Sequence, residues 1–270
     1  MLPVALRHQY PDGRAVRQFA KFEGVPHDTR MYMDSSSWIP DPLVDYLKET
    51  GDFDILEKEE GFLNPETGRV EDDLKATIYE HAFRGVTALY EHRGLYGLCR
   101  IGHGDWNDAL SRIGGEKGVS VWLSCACVYQ CKLMAELAEF LGRGDDAAAF
   151  RRVAAEMTER INAHGWDGKW YIRGFTKKGI KIGSNESEEG KLFLNAQTWA
   201  VYSGVASPER GKQCMDEVDK HLYSKYGLHL LWPSYSKPDD DIGYVTRVYK
   251  GIKENGSIFC EPCTARITRR

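Results

Sequence analysis

The chain has 270 residues, of which 42% are hydrophobic and 28% are charged, and this is enough to bury a substantial core. It carries 36 Lys and Arg against 40 Asp and Glu, a formal net charge of −4, which argues against a general nucleic-acid binder because such proteins need a basic face. The longest stretch without a charge, 192–208, contains six kinds of polar or turn-forming residue, so the sequence predicts no membrane-spanning helix, and its first residues show no signal-peptide pattern.

The predicted elements, in chain order, are mostly amphipathic helices that end at glycine. Helices are predicted over 43–49, 74–92, 119–141, 145–164, 195–203 and 207–226. The first half of 119–141 is apolar on all sides, which is typical of a buried helix, and Ser207 followed by Pro208 is a strong start signal. The segment 168–183 predicts a short β-hairpin. Repeated helical hairpins without a Ser- or Pro-rich linker indicate an α-solenoid or a closed α/α barrel, and the pattern leaves both open.

The seven cysteines predict free thiols rather than a disulfide framework. Cys125, Cys127 and Cys131 lie in an apolar stretch, and we interpret them as small buried apolar residues. Cys260 and Cys263 form only half of a zinc motif, because a zinc site needs four ligands. The odd number of cysteines favours a reducing compartment, so we expect a cytoplasmic protein without a metal site.

The polar, glycine-rich segment 94–115 contains the sequence Asp105-Trp106-Asn107-Asp108 and lies between two predicted helices. Loops in such positions concentrate binding and catalytic residues. A Trp side chain offers an apolar face to a sugar ring, and a carboxylic acid can bind hydroxyls or protonate a glycosidic oxygen. The alternative is a capping loop, in which Asp105 caps a short helix and Trp106 packs inward. The four residues alone leave both interpretations open.

Three further segments carry polar candidates. Three acids, Glu186, Glu188 and Glu189, together with Gln197 suit the mouth of a polar cleft, but acids ahead of a helix also simply favour its dipole. Glu254 is another candidate, and the alternative for it is that a lone Glu beside a turn usually faces solvent. Arg14 and Arg17 are candidates for anion binding because the guanidinium fork suits phosphate, and the alternative is a pair of ordinary surface cations.

Six segments, taken in this order, resemble the inverting carbohydrate phosphorylases of glycoside hydrolase family 94, the cellobiose and chitobiose phosphorylase group. They are HQYPDGRAVRQF at 8–19, Asp34 with Trp38, YEHAFRGV at 79–86, GDWNDAL at 104–110, SEEGKLFLNAQTWAVYSG at 187–204 and KENGSIF at 253–259. Each segment is a weak signal alone. Six of them in the right order are highly specific, and they span nearly the whole chain.

The resemblance implies an all-α fold, an (α/α) barrel of six helical hairpins, here incomplete and with small β-hairpin insertions. It assigns residues 1–260 to a partial barrel catalytic domain and sets 261–270 apart as a tail unlike the family. The large β-sandwich domain and the first part of the barrel, which precede these motifs in the family, are missing from the sequence. We therefore expect a fragment of a family gene with a frameshifted 3′ end.

The resemblance also implies a reaction, the inverting phosphorolysis of a cellobiose-like or chitobiose-like β-linked disaccharide to a sugar 1-phosphate and a released sugar. By the family pattern Asp108 is the general acid, and Trp106 shapes the adjacent sugar site. No second catalytic carboxylate is needed, because phosphate is already an anionic nucleophile, whereas an inverting hydrolase must deprotonate water. Inorganic phosphate is thus a co-substrate and no cofactor is expected. Asp108 must be protonated to act, which favours a partly desolvated site or a neighbouring carboxylate such as Asp105.

Other positions match family residues that line the site of the transferred sugar: Asp34, Arg17, Glu254 and, more weakly, Gln197. Arg14 competes with Arg17 for this alignment. Two departures from the family stand out. The family has two adjacent acids where this chain has Asp34 followed by three serines, and Glu261 stands where the family has a phosphate-holding His.

The partners implied by the resemblance are a disaccharide and phosphate, with neither nucleic acid nor membrane, and a homodimer for a full-length protein. Two alternatives stay open at this point. One is an inverting glycoside hydrolase on the same barrel, with Glu254 or a Glu of 186–189 as the base. The other is an inactive fragment that at most binds sugar. Sugar 1-phosphate that forms only with phosphate present separates the phosphorylase from both.

Overall fold

A computed structural model of the chain describes residues 2–20, 22, 25–111 and 113–259. Within these ranges the chain forms seven α-helices and nine short strands in four small antiparallel sheets. The helices are α1 (Leu2–Leu6), α2 (Pro40–Thr50), α3 (Ile78–Glu91), α4 (Val121–Phe140), α5 (Gly144–Arg160), α6 (Leu194–Tyr202) and α7 (Pro208–His221). The strands are β1 (Glu59–Leu63), β2 (Val70–Thr77), β3 (Val119–Ser120), β4 (Gly174–Phe175), β5 (Lys181–Ile182), β6 (Leu192–Phe193), β7 (Tyr223–Ser224), β8 (Gly227–Leu228) and β9 (Leu231–Trp232). The predicted helical class with small β insertions is confirmed.

The chain divides into two compact units. The first comprises Met1–His92 and Gln130–Val153, and the second comprises Arg93–Tyr129 and Ala154–Arg270. The assignment of 1–260 to one catalytic domain stays a prediction, and the tail at 261–270, with Glu261, lies outside the described residues.

In the first unit, α3 begins four residues later than predicted. Residues 74–77 belong instead to β2, which pairs with β1 in a register that sets Glu59 opposite Thr77. The Thr77 side chain then accepts a hydrogen bond from the backbone N–H of Glu80 at 3.2 Å and starts the helix as its N-cap. The prediction was wrong in this turn because long-range strand pairing replaces the local helical pattern.

In the second unit, the predicted hairpin is confirmed as β4 and β5, with Gly174 opposite Ile182. Strand β3 adds to its edge, pairing Ser120 with Gly174, and leads directly into α4. All eight residues at the start of α4, 121–128, are fully buried, as predicted for a helix that is apolar on all sides.

The last helix of the second unit, α7, starts as predicted and ends early. The Ser207 hydroxyl accepts a hydrogen bond from the Arg210 N–H at 3.3 Å, and Pro208 occupies the first helical position. The helix was predicted to reach 226 but ends at His221, because β7 and β8 form a hairpin over Tyr223–Leu228.

The cysteines that the structure describes are buried free thiols: Cys99, Cys125, Cys127, Cys131 and Cys214. Burial raises the pKa of Cys214 to about 12 and also raises that of Cys125. Their interpretation as small apolar residues is confirmed, whereas Cys260 and Cys263 lie outside the described residues. Within the described ranges there is no cluster of three or more His, Cys, Asp and Glu arranged to hold a metal ion, and no helix is long and apolar enough to cross a membrane.

Candidate active site

The described residues of the glycine-rich segment 94–115 form a closed loop in the second unit. The Leu95 N–H donates to the Lys117 carbonyl at 2.9 Å, and the Ile101 N–H donates to the Gly118 carbonyl at 3.0 Å, so the two ends of the loop are joined. Gly114 packs so closely on Ile101 that a Cβ atom there would lie 2.2 Å from its Cγ2. Only glycine fits this approach, and the loop conformation is therefore tightly determined.

The apolar side chains of the loop anchor it to the rest of the second unit. They belong to one buried cluster with residues from β5, β6, β9 and the segment near 245: Ile101, Ala109, Leu110, Ile113, Ile182, Phe193, Leu231, Tyr235 and Val245. Burial of such side chains contributes about 1.5–3 kcal/mol for each large one. The acidic motif at 105–108 thus sits on a well-packed base.

Asp105 forms a buried ion pair with Arg173, and their side chains are 0% and 1% exposed. The Arg173 Nη2 atom donates to both carboxylate oxygens, at 2.6 and 2.7 Å, and its Nη1 atom donates to the Ser120 hydroxyl at 2.8 Å. The guanidinium carbon lies 5.6 Å from the centre of the Trp122 ring. The expectation that Asp105 serves Asp108 as a neighbouring carboxylate is wrong, because Arg173 neutralises its charge.

Asn107 starts the turn that presents Asp108. Its Oδ1 atom accepts hydrogen bonds from the N–H groups of Ala109 and Leu110, at 3.1 and 3.2 Å, and a 3₁₀ turn follows over Asp108–Leu110. The Asn107 N–H itself donates to Asp105 Oδ1 at 3.0 Å. The capping-loop alternative was therefore right about a short helix and wrong about its cap, which is Asn107. The Asp108 side chain is exposed at the first position of the turn, so this structure does not show the partly desolvated surroundings expected for the acid.

Trp106 and Glu254 come from distant parts of the sequence, but their segments meet in the second unit. Trp106 is half-buried, and its ring makes an edge-to-face contact with Phe259 at 6.2 Å between centroids. Phe259 ends the same KENGSIF segment that carries the half-buried Glu254. The buried Asn255 fixes this segment, because its side chain accepts from the Tyr235 N–H at 2.8 Å and donates to the Tyr235 carbonyl at 2.9 Å.

Gln197 is fully buried in α6, and backbone groups occupy its amide. Its Nε2 atom donates to the carbonyls of Tyr171 and Phe193, at 2.7 and 3.1 Å, and its Oε1 atom accepts from the Tyr171 N–H at 3.0 Å. Both donors of the side chain are thereby used. In this structure Gln197 joins α6 to the segment before β4, and its contact with substrate stays a prediction.

The acidic residues ahead of α6 do not lie in its first turn, because β6 separates them from it. The helix-dipole interpretation of 186–189 is therefore wrong. Glu189 instead accepts from the Ser236 N–H at 2.8 Å and from its hydroxyl at 2.5 Å. These hydrogen bonds from Ser236 lower the pKa of Glu189 despite some desolvation.

The other predicted sugar-site residues lie in the first unit. Asp34 is buried, at 8% exposure, and accepts a hydrogen bond from Trp38 Nε1 at 3.2 Å. Arg17 lies over the Tyr32 ring, 4.3 Å from its centre, and its Nη1 atom is 3.7 Å from Asp28 Oδ2. Both side chains are thus held in place by partners of the same unit.

Arg14, which competed with Arg17 for the family alignment, is bound elsewhere. Its Nε atom donates to Asp12 Oδ2 at 2.8 Å. Two of the family-like segments meet in this unit, since His81 Nδ1 lies 2.6 Å from Gln9 Oε1 in the buried core. Burial lowers the pKa of His81, which favours the neutral ring.

Sequence reasoning missed Arg173. It is the one charged residue in the run Trp170–Phe175, WYIRGF, whose other members are apolar or glycine. A charge inside an apolar run was the available signal, because Arg is almost never fully buried unless it is paired. The partner could not be read from that signal, since Asp105 is 68 residues away in the chain.

The fold of the chain is similar to that of proteins of known structure. A solved structure of an uncharacterized conserved protein from Thermus thermophilus matches with a TM-score of 0.56 at 14% identity, over 90% of this chain and 69% of that one. At this identity the likeness concerns the fold alone. The catalytic-domain model of the glycosyl hydrolase 94 superfamily then matches residues 13–268, and the chain belongs to this family. The matched range includes 261–268, most of the tail at 261–270 that was expected to be unlike the family.

Two curated relatives of the chain are named as disaccharide phosphorylases. The chain is 41% identical over 231 residues to the N,N'-diacetylchitobiose phosphorylase of Vibrio proteolyticus, a match that covers 85% of this chain and 28% of the relative. It is 38% identical over 264 residues to the solabiose phosphorylase of Paenibacillus borealis, with 97% of this chain and 33% of the relative covered. The chain therefore spans about a third of the length of these relatives.

Proposed function

We propose that this chain carries the catalytic acid of a disaccharide phosphorylase, which cleaves a β-linked disaccharide with inorganic phosphate and inverts the anomeric carbon. The observation that carries the proposal is Asp108, exposed on a packed loop in a family member whose relatives are disaccharide phosphorylases. An exposed acid on a fixed turn can reach the glycosidic oxygen of a bound sugar without moving the backbone.

In the proposed reaction Asp108 donates its proton to the glycosidic oxygen as the bond from that oxygen to the anomeric carbon breaks. A phosphate oxygen forms the new bond to the anomeric carbon from the opposite face. The products are a sugar 1-phosphate of inverted configuration and a free sugar. Because phosphate enters as an anion, the step needs no general base and no cofactor.

The sugar-binding part of the proposal rests on aromatic and polar side chains. Trp106, which packs edge-to-face with Phe259, is proposed to present a flat apolar surface to a sugar ring, and Glu254 to accept hydrogen bonds from sugar hydroxyls. Asp34 and Arg17 are proposed to bind the transferred sugar. Gln197 is proposed to act by holding the backbone at 171, since its amide donors are already used.

Three properties of the complete protein belong to the same proposal. Its helices close into an (α/α) barrel of six hairpins, it works as a homodimer, and it resides in the cytoplasm. Family membership supports the first, and the seven α-helices of the described residues agree with it. The free buried thiols support the third, because they suit a reducing compartment.

The test is a product assay on the 270-residue chain with N,N'-diacetylchitobiose, cellobiose and other β-linked disaccharides, each with and without phosphate. We expect sugar 1-phosphate only when phosphate is present, and a fall of about 10²–10⁴-fold in rate for Asp108→Asn, because the proton donor is lost. The matched control is Asp216→Asn, since Asp216 is an exposed carboxylate on α7, 2.6 Å from Lys212.

Each remaining outcome contradicts a defined part of the proposal. Free sugars released equally without phosphate would indicate a hydrolase, with Glu254 as the candidate base, because Glu189 is engaged by Ser236. No product from any disaccharide would refute activity of this chain. Full activity of Asp108→Asn would refute the assignment of the acid.

A further inference from the structure

We propose that Arg173 is a positioning residue for the catalytic acid, acting through Asp105 and Asn107 on the turn that carries Asp108. The inference rests on the proposed function, since it concerns the loop of the proposed acid. The Arg173 side chain is 1% exposed and donates to Asp105 and Ser120, so its proposed role is positioning rather than contact with substrate. Its role is to fix the orientation of the turn that carries Asp108 within the loop.

The first argument is that stability alone does not require this ion pair. Taking both charges out of water is costly, and apolar side chains of similar volume often replace a buried pair without loss of stability. The pair of Lys212 with Asp216 in the same unit is exposed, whereas Arg173 and Asp105 are at most 1% exposed. Because stability does not require this buried pair, we infer that the pair is needed to fix the geometry of the loop that carries Asp108.

The second argument is the chain of hydrogen bonds that leads from the pair to the acid. Asp105 Oδ1 receives both the Arg173 Nη2 donor, at 2.6 Å, and the Asn107 N–H, at 3.0 Å. Asn107 Oδ1 in turn receives the N–H groups of Ala109 and Leu110. Asp108 lies between these bonds, so a rotation of the Asp105 carboxylate would break the hydrogen bond that holds Asn107, the residue from which the turn starts.

The third argument is that Arg173 itself is fixed to rigid structure. Its Nη1 atom binds the Ser120 hydroxyl, which also accepts the Leu123 N–H at 3.0 Å at the start of the buried helix α4. Its own N–H donates to the Ile182 carbonyl at 2.7 Å, and its carbonyl accepts the Val121 N–H at 3.0 Å. Arg173 therefore ties the loop to α4 and to the β3–β4–β5 sheet, which fix the position of the loop.

The experiment replaces the whole pair, Arg173→Met with Asp105→Leu, so that no buried charge is left unpaired. The control replaces an exposed pair in the same way, Lys212→Met with Asp216→Leu. Against the strongest disaccharide substrate of the wild-type chain, we expect the buried-pair variant to keep KM and lose about 100-fold in kcat, the loss typical of a displacement of about 1 Å. The control keeps both constants.

Hydrogen exchange supplies a second measurement that needs no activity. In the buried-pair variant the amides of Asn107, Ala109 and Leu110 are expected to exchange about fivefold faster, which corresponds to the loss of about 1 kcal/mol per hydrogen bond. The amides of α7 are expected to exchange at the wild-type rate. A merely structural role would instead accelerate exchange throughout the second unit, and that pattern would overturn the inference.

A third variant keeps the test decisive if the double replacement fails to fold. Arg173→Lys keeps the charge but has one nitrogen in place of two, so it cannot hold the Asp105 carboxylate and the Ser120 hydroxyl from two fixed positions as Nη2 and Nη1 do. We expect a folded protein with reduced kcat, unchanged KM and faster exchange at 107. Unchanged kcat and exchange in the folded variants would overturn the positioning role. An inactive wild-type chain would instead refute the proposed function, and the exchange data would still decide whether Arg173 fixes the turn.

Discussion

Replacing Arg173 alone is expected to unfold the second unit far more readily than replacing Arg173 and Asp105 together. Arg173→Met leaves the Asp105 carboxylate at 0% exposure without its cation. Removing one partner of a buried pair costs about 3–5 kcal/mol, whereas removing both with apolar replacements is often neutral. The single variant also breaks the hydrogen bond to Ser120, which strengthens the effect.

The size of this effect makes it easy to measure. For a unit of this size each kcal/mol lowers Tm by about 2–4 °C, so the single variant is expected to melt roughly 6–20 °C below the wild type. Urea unfolding followed by tryptophan fluorescence gives the free energy of unfolding independently. Lys212→Met is the matched control, because the loss of an exposed pair typically costs at most about 1 kcal/mol.

Equal destabilisation by the single and double variants would refute this reasoning. It would mean that the unit loses packing or backbone contacts at Arg173 rather than charge compensation. A single variant as stable as the wild type would show that Asp105 is not held in a buried environment, and the geometry of the loop would then have to be different.

Three further predictions concern other parts of the chain. Asn255→Leu is expected to destabilise the second unit by about 1–3 kcal/mol in urea unfolding, because it leaves the buried backbone groups of Tyr235 unpaired; a wild-type midpoint would contradict this. Hydrogen bonds from Arg30 lower the pKa of Asp28 to about 2, below its ordinary value of 3.8, so the stability that Asp28 contributes is present above about pH 4 and is lost as the pH falls towards 2. Asp28→Asn is expected to remove that part of the pH dependence, measured as Tm against pH, and an unchanged profile would contradict it. Iodoacetamide is expected to spare Cys214 in the native chain and to label it in urea, since burial raises its pKa to about 12, and peptide mapping of the labelled sites checks this.

Much of the helical structure could be predicted because its signals are local. Ser207 and Pro208 mark the start of α7 by capping chemistry alone, and the apolar first half of α4 predicts its burial. The prediction failed where pairing is long-range. Residues 74–77 have a helical pattern but belong to β2, where 75–77 pair with β1, and α7 stops early because β7 and β8 form a hairpin.

The same division holds at the site. Asp108 and Trp106 lie in one short motif, so the sequence could single them out. The neutralisation of Asp105 by Arg173 depends on residues 68 positions apart that only folding brings together. Gln197 shows the converse, since a polar residue singled out by motif uses both amide donors inside the core.

The measurement that tests the central claim most directly is NMR of the product formed by the chain from a β-linked disaccharide. With phosphate present, we expect a sugar 1-phosphate signal in the α configuration, and we expect it to be lost with Asp108→Asn and retained with Asp216→Asn. A β-configured phosphate, free sugars formed without phosphate, or an undiminished signal from Asp108→Asn would contradict inverting phosphorolysis with Asp108 as the acid.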